Sequence, residues 1–184
     1  VIGDVVDKGT AAALYMAMVH SLILSGALRH RDPAAVLLEV NQTIFKQSLS
    51  SMFVTVFLAV LDLKEHSLVY ASAGHDSPIL RRANGELGEL TRTGAAMGMM
   101  NGLQWEQAAI TLREGDALVL YTDGVTEARN SSNEFYELDR LMAAIAAAPQ
   151  NADELLEQVE ADLNTFIGGA LADDDITFLV LTRD

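Results

Sequence analysis

Residues 117–128 read Ala-Leu-Val-Leu-Tyr-Thr-Asp-Gly-Val-Thr-Glu-Ala. The first five form an apolar run of strand type, which stops abruptly at Thr122-Asp123-Gly124. A buried strand ending in Asp-Gly delivers a carboxylate to the rim of a sheet, where a turn takes over. Taken alone, Asp123 reads first as a turn former, since Asp and Gly favour loops. Two further segments, near opposite ends of the chain, have the same form: Gly3-Asp4-Val5 and Asp174-Asp175-Ile176-Thr177 each place an acid at the end of an apolar strand.

Between these points the pattern is of hairpins and helices. Ile2-Gly3-Asp4-Val5-Val6-Asp7-Lys8-Gly9 ends a strand and enters a glycine-bearing turn. Thr10 to Leu28 has strong helical propensity and is apolar almost all round, so it is expected to be mostly buried. Asp32-Pro33 starts a second helix, running to about Leu49, with Val36, Val40 and Ile44 four apart on one face. Phe53 to Leu61 fits a strand covered on both faces, and Ser67 to Ala73 returns beside it. Ile79 to Arg82 and Glu86 to Leu90 flank the hairpin turn Asn84-Gly85. Thr93 to Gly102 reads as a loop whose methionines Met97, Met99 and Met100 fill gaps over a core. Trp105 to Leu112 is expected as a strand before Glu114-Gly115-Asp116 turns the chain into Ala117 to Tyr121. Leu138 to Ala147 is a helix; Asn151 and Glu154 form a capping box for another that ends near Gly168-Gly169. Ile176 to Leu181 is the last strand. About eight strands and four helices in this order indicate an α+β fold of antiparallel sheets with helices packed on them.

The chain has 184 residues, enough for one domain with a substantial core, here 1–184. Its 12 basic against 26 acidic residues leave a net charge of −14, which repels phosphate backbones and argues against nucleic acid as a partner. No uninterrupted apolar run approaches the ~18 residues of a membrane span, and no secretory signal is visible. With no cysteine, disulfides, thiolate zinc sites and cysteine nucleophiles are excluded, and a reducing cytoplasm is the expected compartment. The chain opens without a methionine and inside a strand, as expected of a fragment of a longer protein.

If the strand ends carrying Asp4, Asp123 and Asp174 are neighbours, their carboxylates need a compensating cation. Oxygen-only ligands select hard ions, Mg²⁺ or Mn²⁺. Two such ions can hold a bridging water, lower its pKa and brace a phosphate during in-line attack. The competing reading of residues 173–175 is a charge run capping a loop.

These three segments, in this order, resemble the PPM-type metal-dependent serine/threonine phosphatases, specifically the bacterial SpoIIE/RsbU-like branch. Gly3 to Gly9 with Ala11-Ala12-Ala13-Leu14 resembles that branch's second motif and switch helix. Met52-Phe53-Val54-Thr55, Ala73-Gly74-His75 and Leu118 to Glu127 match its middle motifs, and Asp174 to Thr177 its last. The resemblance implies a PPM-like αββα sandwich of two antiparallel sheets flanked by helices. It implies that Asp4 bridges two metal ions, the Val5 carbonyl holds the second, and Asp123 and Asp174 complete the shell of the first. The nucleophile it implies is a bridging water. Asp175 is expected to orient its neighbours, and Lys8 either meets a substrate phosphate or is a solvated turn residue. His75 has no acidic or hydroxyl partner predictable from spacing and reads as structural; Glu127 reads as a loop or cap residue.

The family's usual upstream Gly-Gly-Asp strand motif does not precede Val1, so the first strand or two of the sandwich are expected to be missing. The sheet edge this leaves could pair with another chain, a homodimer included. Asp76-Ser77-Pro78 stands where the branch has Asn and two prolines. The activity implied is hydrolysis of phosphoserine or phosphothreonine on a protein partner, with a STAS-type anti-sigma-factor antagonist as the implied substrate. Upstream sensor or receiver domains are implied to act through Thr10 to Leu49. The alternative is a phosphatase-like binding module without turnover.

Overall fold

Hydrophobic patterning resolves into eight strands and five helices among residues 1–47, 52–169 and 174–183, which the computed structural model describes. The expected end of the second helix at Leu49 and the acid Asp173 lie outside the described residues. The chain divides into two compact units, residues 1–75 with 91–111 and residues 76–90 with 112–184.

The first unit contains β1 (Ile2–Val5), α1 (Thr10–Arg29), α2 (Pro33–Gln47), β2 (Val54–Asp62), β3 (Ser67–Ala73) and β6 (Ala108–Thr111). Its sheet has the order β1-β2-β3-β6, antiparallel throughout. Asp32 caps α2 as expected, its Oδ1 accepting from the Ala34 and Ala35 amides at 2.9 and 3.3 Å. Val36, Val40 and Ile44 are buried in a core shared with Ala12, Tyr15, Val19 and Ile23 of α1 and Val54, Val56 and Leu58 of β2. Gly26 lets α1 approach α2: a Cβ there would lie 3.0 Å from Val36 Cγ1.

Three expectations fail in this unit. Only Ala12, Tyr15, Val19, Ile23 and Gly26 of α1 are buried, and Leu14, Leu24 and Leu28 are exposed. Composition reports how apolar a helix is, and this one is long and apolar enough to cross a membrane, but only 28% of its most apolar 18-residue window is buried. Second, β2 is covered on both faces only in its first half; Val60 is exposed. Third, Met97 is fully buried, whereas Met99 and Met100 are exposed.

The second unit contains β4 (Ile79–Arg81), β5 (Leu87–Glu89), β7 (Ala117–Tyr121), α3 (Asp123–Thr126), α4 (Glu137–Ala147), α5 (Ala152–Ile167) and β8 (Phe178–Thr182). The sheet order is β5-β4-β7-β8, again antiparallel. All five residues of β7 are buried, as a central strand requires. Asn151 caps α5 through the Asp153 and Glu154 amides, and Gly168 ends it at φ 60. The short helix α3 stands where the sequence suggested a turn. The two-sheet, helix-flanked α+β class is therefore present, each unit supplying one sheet and its helices.

Consecutive arginines at the end of β4 do different work. Arg81, 4% exposed, donates through Nη1 to the Ile145 and Ala148 carbonyls and through Nη2 to that of Pro149, at 2.6–2.7 Å. It thereby closes the C-terminal end of α4, where unsatisfied carbonyls attract a cation. Arg82 instead pairs with Asp116 at 2.7 Å.

Asp116 is 1% exposed, and burial works against its charge. Amide donation from Arg113 and Ala83, together with Arg82, outweighs that cost and holds the carboxyl below its ordinary value. A depressed carboxyl contributes stability that is present above its unfolded pKa and lost as pH falls through the folded one. Urea midpoints should therefore drop below about pH 4, the ordinary Asp range. Asp116→Asn should start lower at neutral pH and show a flatter acid limb. An identical limb in the variant would show that Asp116 does not carry this dependence.

Candidate active site

Asp4 and Val5 stand on β1, the outermost described strand of its sheet, in register with Thr55 and Val54. The Val6 amide donates to the Phe53 carbonyl at 3.1 Å, which makes that position a hydrogen-bonded pair of the ladder. Antiparallel pairs alternate, so Asp4–Thr55 is hydrogen-bonded and Val5–Val54 is not. The Val5 carbonyl consequently points away from β2, free of this ladder. On the pleat, Val5 and Asp4 face opposite sides. Val5 is buried with Ala12, Tyr15 and Val19, so the Asp4 side chain leaves the sheet on the face away from α1 and α2. Beyond β1 the backbone turns through Asp7 at φ 88 and Gly9 at φ 92, leaving Lys8 exposed with its amide donating to Asp7 Oδ1.

Asp123 and Asp174 belong to the other unit, and the fold brings their segments together. β7 and β8 are antiparallel neighbours, with Tyr121 opposite Phe178, so the end of one strand meets the approach to the other. Thr122 clips them. Its amide donates to the Thr177 carbonyl at 3.2 Å, its Oγ1 accepts from the Thr177 amide at 3.1 Å, and its hydroxyl donates to the Asp175 carbonyl at 2.9 Å. Gly124 is required by the same approach: a Cβ there would overlap the Asp175 carbonyl oxygen and lie 3.4 Å from the Asp174 carbonyl carbon.

Asp123 is the first residue of α3 and is partly buried; its main-chain carbonyl accepts from the Glu127 amide and the Thr126 hydroxyl. Glu127 caps α3 through that amide, a structural role as expected. Asp174 is exposed, and its Oδ1 accepts from the Asp175 amide at 2.9 Å. Asp175 thus touches its neighbours through its main chain, with both its amide and its carbonyl engaged.

Among the described residues no group of three or more His, Asp or Glu side chains is gathered closely enough to hold a metal ion. Within the second unit the segments of Asp123 and Asp174 meet, so the donors on offer there are carboxylate oxygens, and no thiolate is available. Such a set suits a hard divalent cation such as Mg²⁺ or Mn²⁺.

The partners of two groups beside these acids escaped the sequence reading. Thr122 precedes the Asp-Gly step, but nothing in spacing announces a partner 53 residues away. His75 does have a hydroxyl partner: its Nδ1 lies 3.0 Å from Thr55 Oγ1, and the residue is 2% exposed.

Comparison with known proteins covers the whole chain. The sequence model of the family described as Stage II sporulation protein E (SpoIIE) matches residues 1–184. Phosphoserine phosphatase RsbU of Bacillus subtilis is 32% identical, over 99% of this chain and 54% of that protein. Protein IcfG of a Synechocystis strain is 30% identical, over 100% of this chain and 33% of that protein. The chain therefore spans between a third and about half of these curated relatives. Among solved structures, the SiaA PP2C domain of Pseudomonas aeruginosa superposes with a TM-score of 0.80 at 25% identity, covering 99% of this chain and 73% of that one.

Proposed function

Because the chain belongs to the SpoIIE family of PPM-type phosphatases, we propose that it removes phosphate from phosphoserine or phosphothreonine on a protein partner. The observation that supports this most directly is the clip at Thr122 and Gly124, which holds the Asp123 and Asp174 segments side by side. Asp4, Asp123, Asp174 and the Val5 carbonyl would hold two Mg²⁺ or Mn²⁺ ions. Bound there, such ions would supply an activated water and neutralisation of charge on the phosphate. The chain's own contribution is to aim these oxygens. Asp175 orients Asp174 through its amide, and Lys8 is proposed to meet the phosphate.

The partner we propose is a STAS-type anti-sigma-factor antagonist in a partner-switching pathway. RsbU, named a phosphoserine phosphatase, supports that direction. Regulation is proposed to enter through α1 and α2. Val5 shares its core with Ala12, Tyr15 and Val19, so a displaced α1 would be felt at the Val5 carbonyl.

Removing metal tests the reading. Phosphate release from a phosphoserine STAS protein should fall to background in EDTA and return when Mn²⁺ or Mg²⁺ is restored. Mn²⁺ and partner binding without turnover would replace the enzyme with a binding module. Turnover undiminished by chelation would remove the metal mechanism.

A further inference from the structure

Two of the family-like motifs, Met52-Phe53-Val54-Thr55 and Ala73-Gly74-His75, have no part in the ligand set above. In the fold they meet. We propose that Thr55 and His75 form a brace that fixes the Asp4–Val5 peptide unit, making both positioning residues for the proposed metal ligands. The inference rests on the phosphatase reading.

The brace is built in two steps. Thr55 is the register partner of Asp4, and its Oγ1 lies 3.4 Å from the Asp4 carbonyl oxygen, at the long end of a hydrogen bond. His75 Nδ1 lies 3.0 Å from the same Oγ1. A hydroxyl that donates to a carbonyl accepts through its oxygen, so the brace requires the His75 tautomer with its proton on Nδ1. The Asp4 carbonyl belongs to the peptide joining Asp4 to Val5. The ladder already turns that carbonyl toward β2, and the hydroxyl adds a second donor that restrains the rotation of the plane and hence the direction of the Val5 carbonyl that follows.

His75 is itself held firmly. Gly74 has φ 70, and a Cβ there would lie 2.8 Å from the Ala96 amide nitrogen. The Gly74 amide donates to the Gly94 carbonyl at 2.9 Å. Isolated bridges Val56–Gly74, Ala73–Gly94 and Val54–Met97 tie the same stretch to β2 and to the 94–97 loop. An imidazole on so constrained a backbone is suited to aligning another group.

The test compares Thr55→Val and His75→Leu with the conservative Thr55→Ser and His75→Asn, whose hydroxyl and amide can replace the donors. Mn²⁺ affinity is measured by calorimetry, turnover with a phosphoserine protein at saturating Mn²⁺, and melting temperature in EDTA. Loss of a group that orients a metal ligand costs about 10- to 100-fold in affinity or activity. Thr55→Val and His75→Leu should lose Mn²⁺ affinity by that factor, and Thr55→Ser and His75→Asn should recover most of it. Thr55→Val should melt in EDTA close to the parent, which separates aiming from stability. Parental Mn²⁺ affinity in Thr55→Val, or no recovery in either conservative variant, overturns the brace while a Mn²⁺-dependent parent keeps the phosphatase reading. A parent that binds no Mn²⁺ overturns both.

Discussion

Asp123→Asn should cut Mn²⁺-supported hydrolysis of a phosphoserine protein by about a hundredfold or more, since even groups behind the ligands of metal sites cost 10- to 100-fold. Asparagine keeps the size of the side chain and one oxygen but removes the charge that a divalent cation requires. The fold should hardly notice. The bonds that place Asp123 in α3 use its main-chain carbonyl, to the Glu127 amide and the Thr126 hydroxyl. A substitution that spares the structural contacts is typically worth within about 0.5 kcal/mol of stability, so the melting temperature in EDTA should move by only about 1–2 °C. Asp4→Asn and Asp174→Asn should act in the same direction. Parental kcat/KM in Asp123→Asn would remove that residue from the chemistry.

Arg81→Leu should be the most destabilising of these substitutions, by about 3–5 kcal/mol. Its guanidinium meets three carbonyls at the end of α4. Each hydrogen bond to a charged group contributes roughly 1.5–3 kcal/mol, not additively. Leucine would leave those oxygens facing an apolar side chain beneath a core that includes Leu141, Ala144 and Ile145. Arg81→Lys should fall between the two, because an ammonium cannot fork across the Ile145, Ala148 and Pro149 oxygens as a planar guanidinium does. The urea midpoint at constant slope reads the effect. A leucine variant with the parental midpoint would show that water or a local shift satisfies the helix end.

Local signals located most elements, because the physics that makes them is local. The four-residue spacing of Val36, Val40 and Ile44 is a helix face wherever it is packed, and Asn151 and Gly168 mark helix ends through their own backbone chemistry. The exposure of Leu14, Leu24 and Leu28 was not legible, because a helix's composition does not state which of its sides receives a neighbour. Nor was the burial of Arg81, which needs the end of α4, 64 residues on, to make sense. The acids themselves were visible as strand-terminal carboxylates. The joint purpose proposed for them rests on the resemblance, since alternation and spacing do not say which strand ends are neighbours. The contacts made by Thr122 and Thr55 are products of sheet topology and arise only once β7 lies beside β8 and β1 beside β2.

The hydroxyl of Thr122 has a mechanical consequence. One oxygen is latched to both the Asp175 carbonyl and the Thr177 amide, while Gly124 rests against the same peptide. The two loops cannot breathe separately without breaking that latch. In deuterium exchange, the amides of Thr122 and Thr177 should therefore open at a common rate, and Thr122→Val should release both at once.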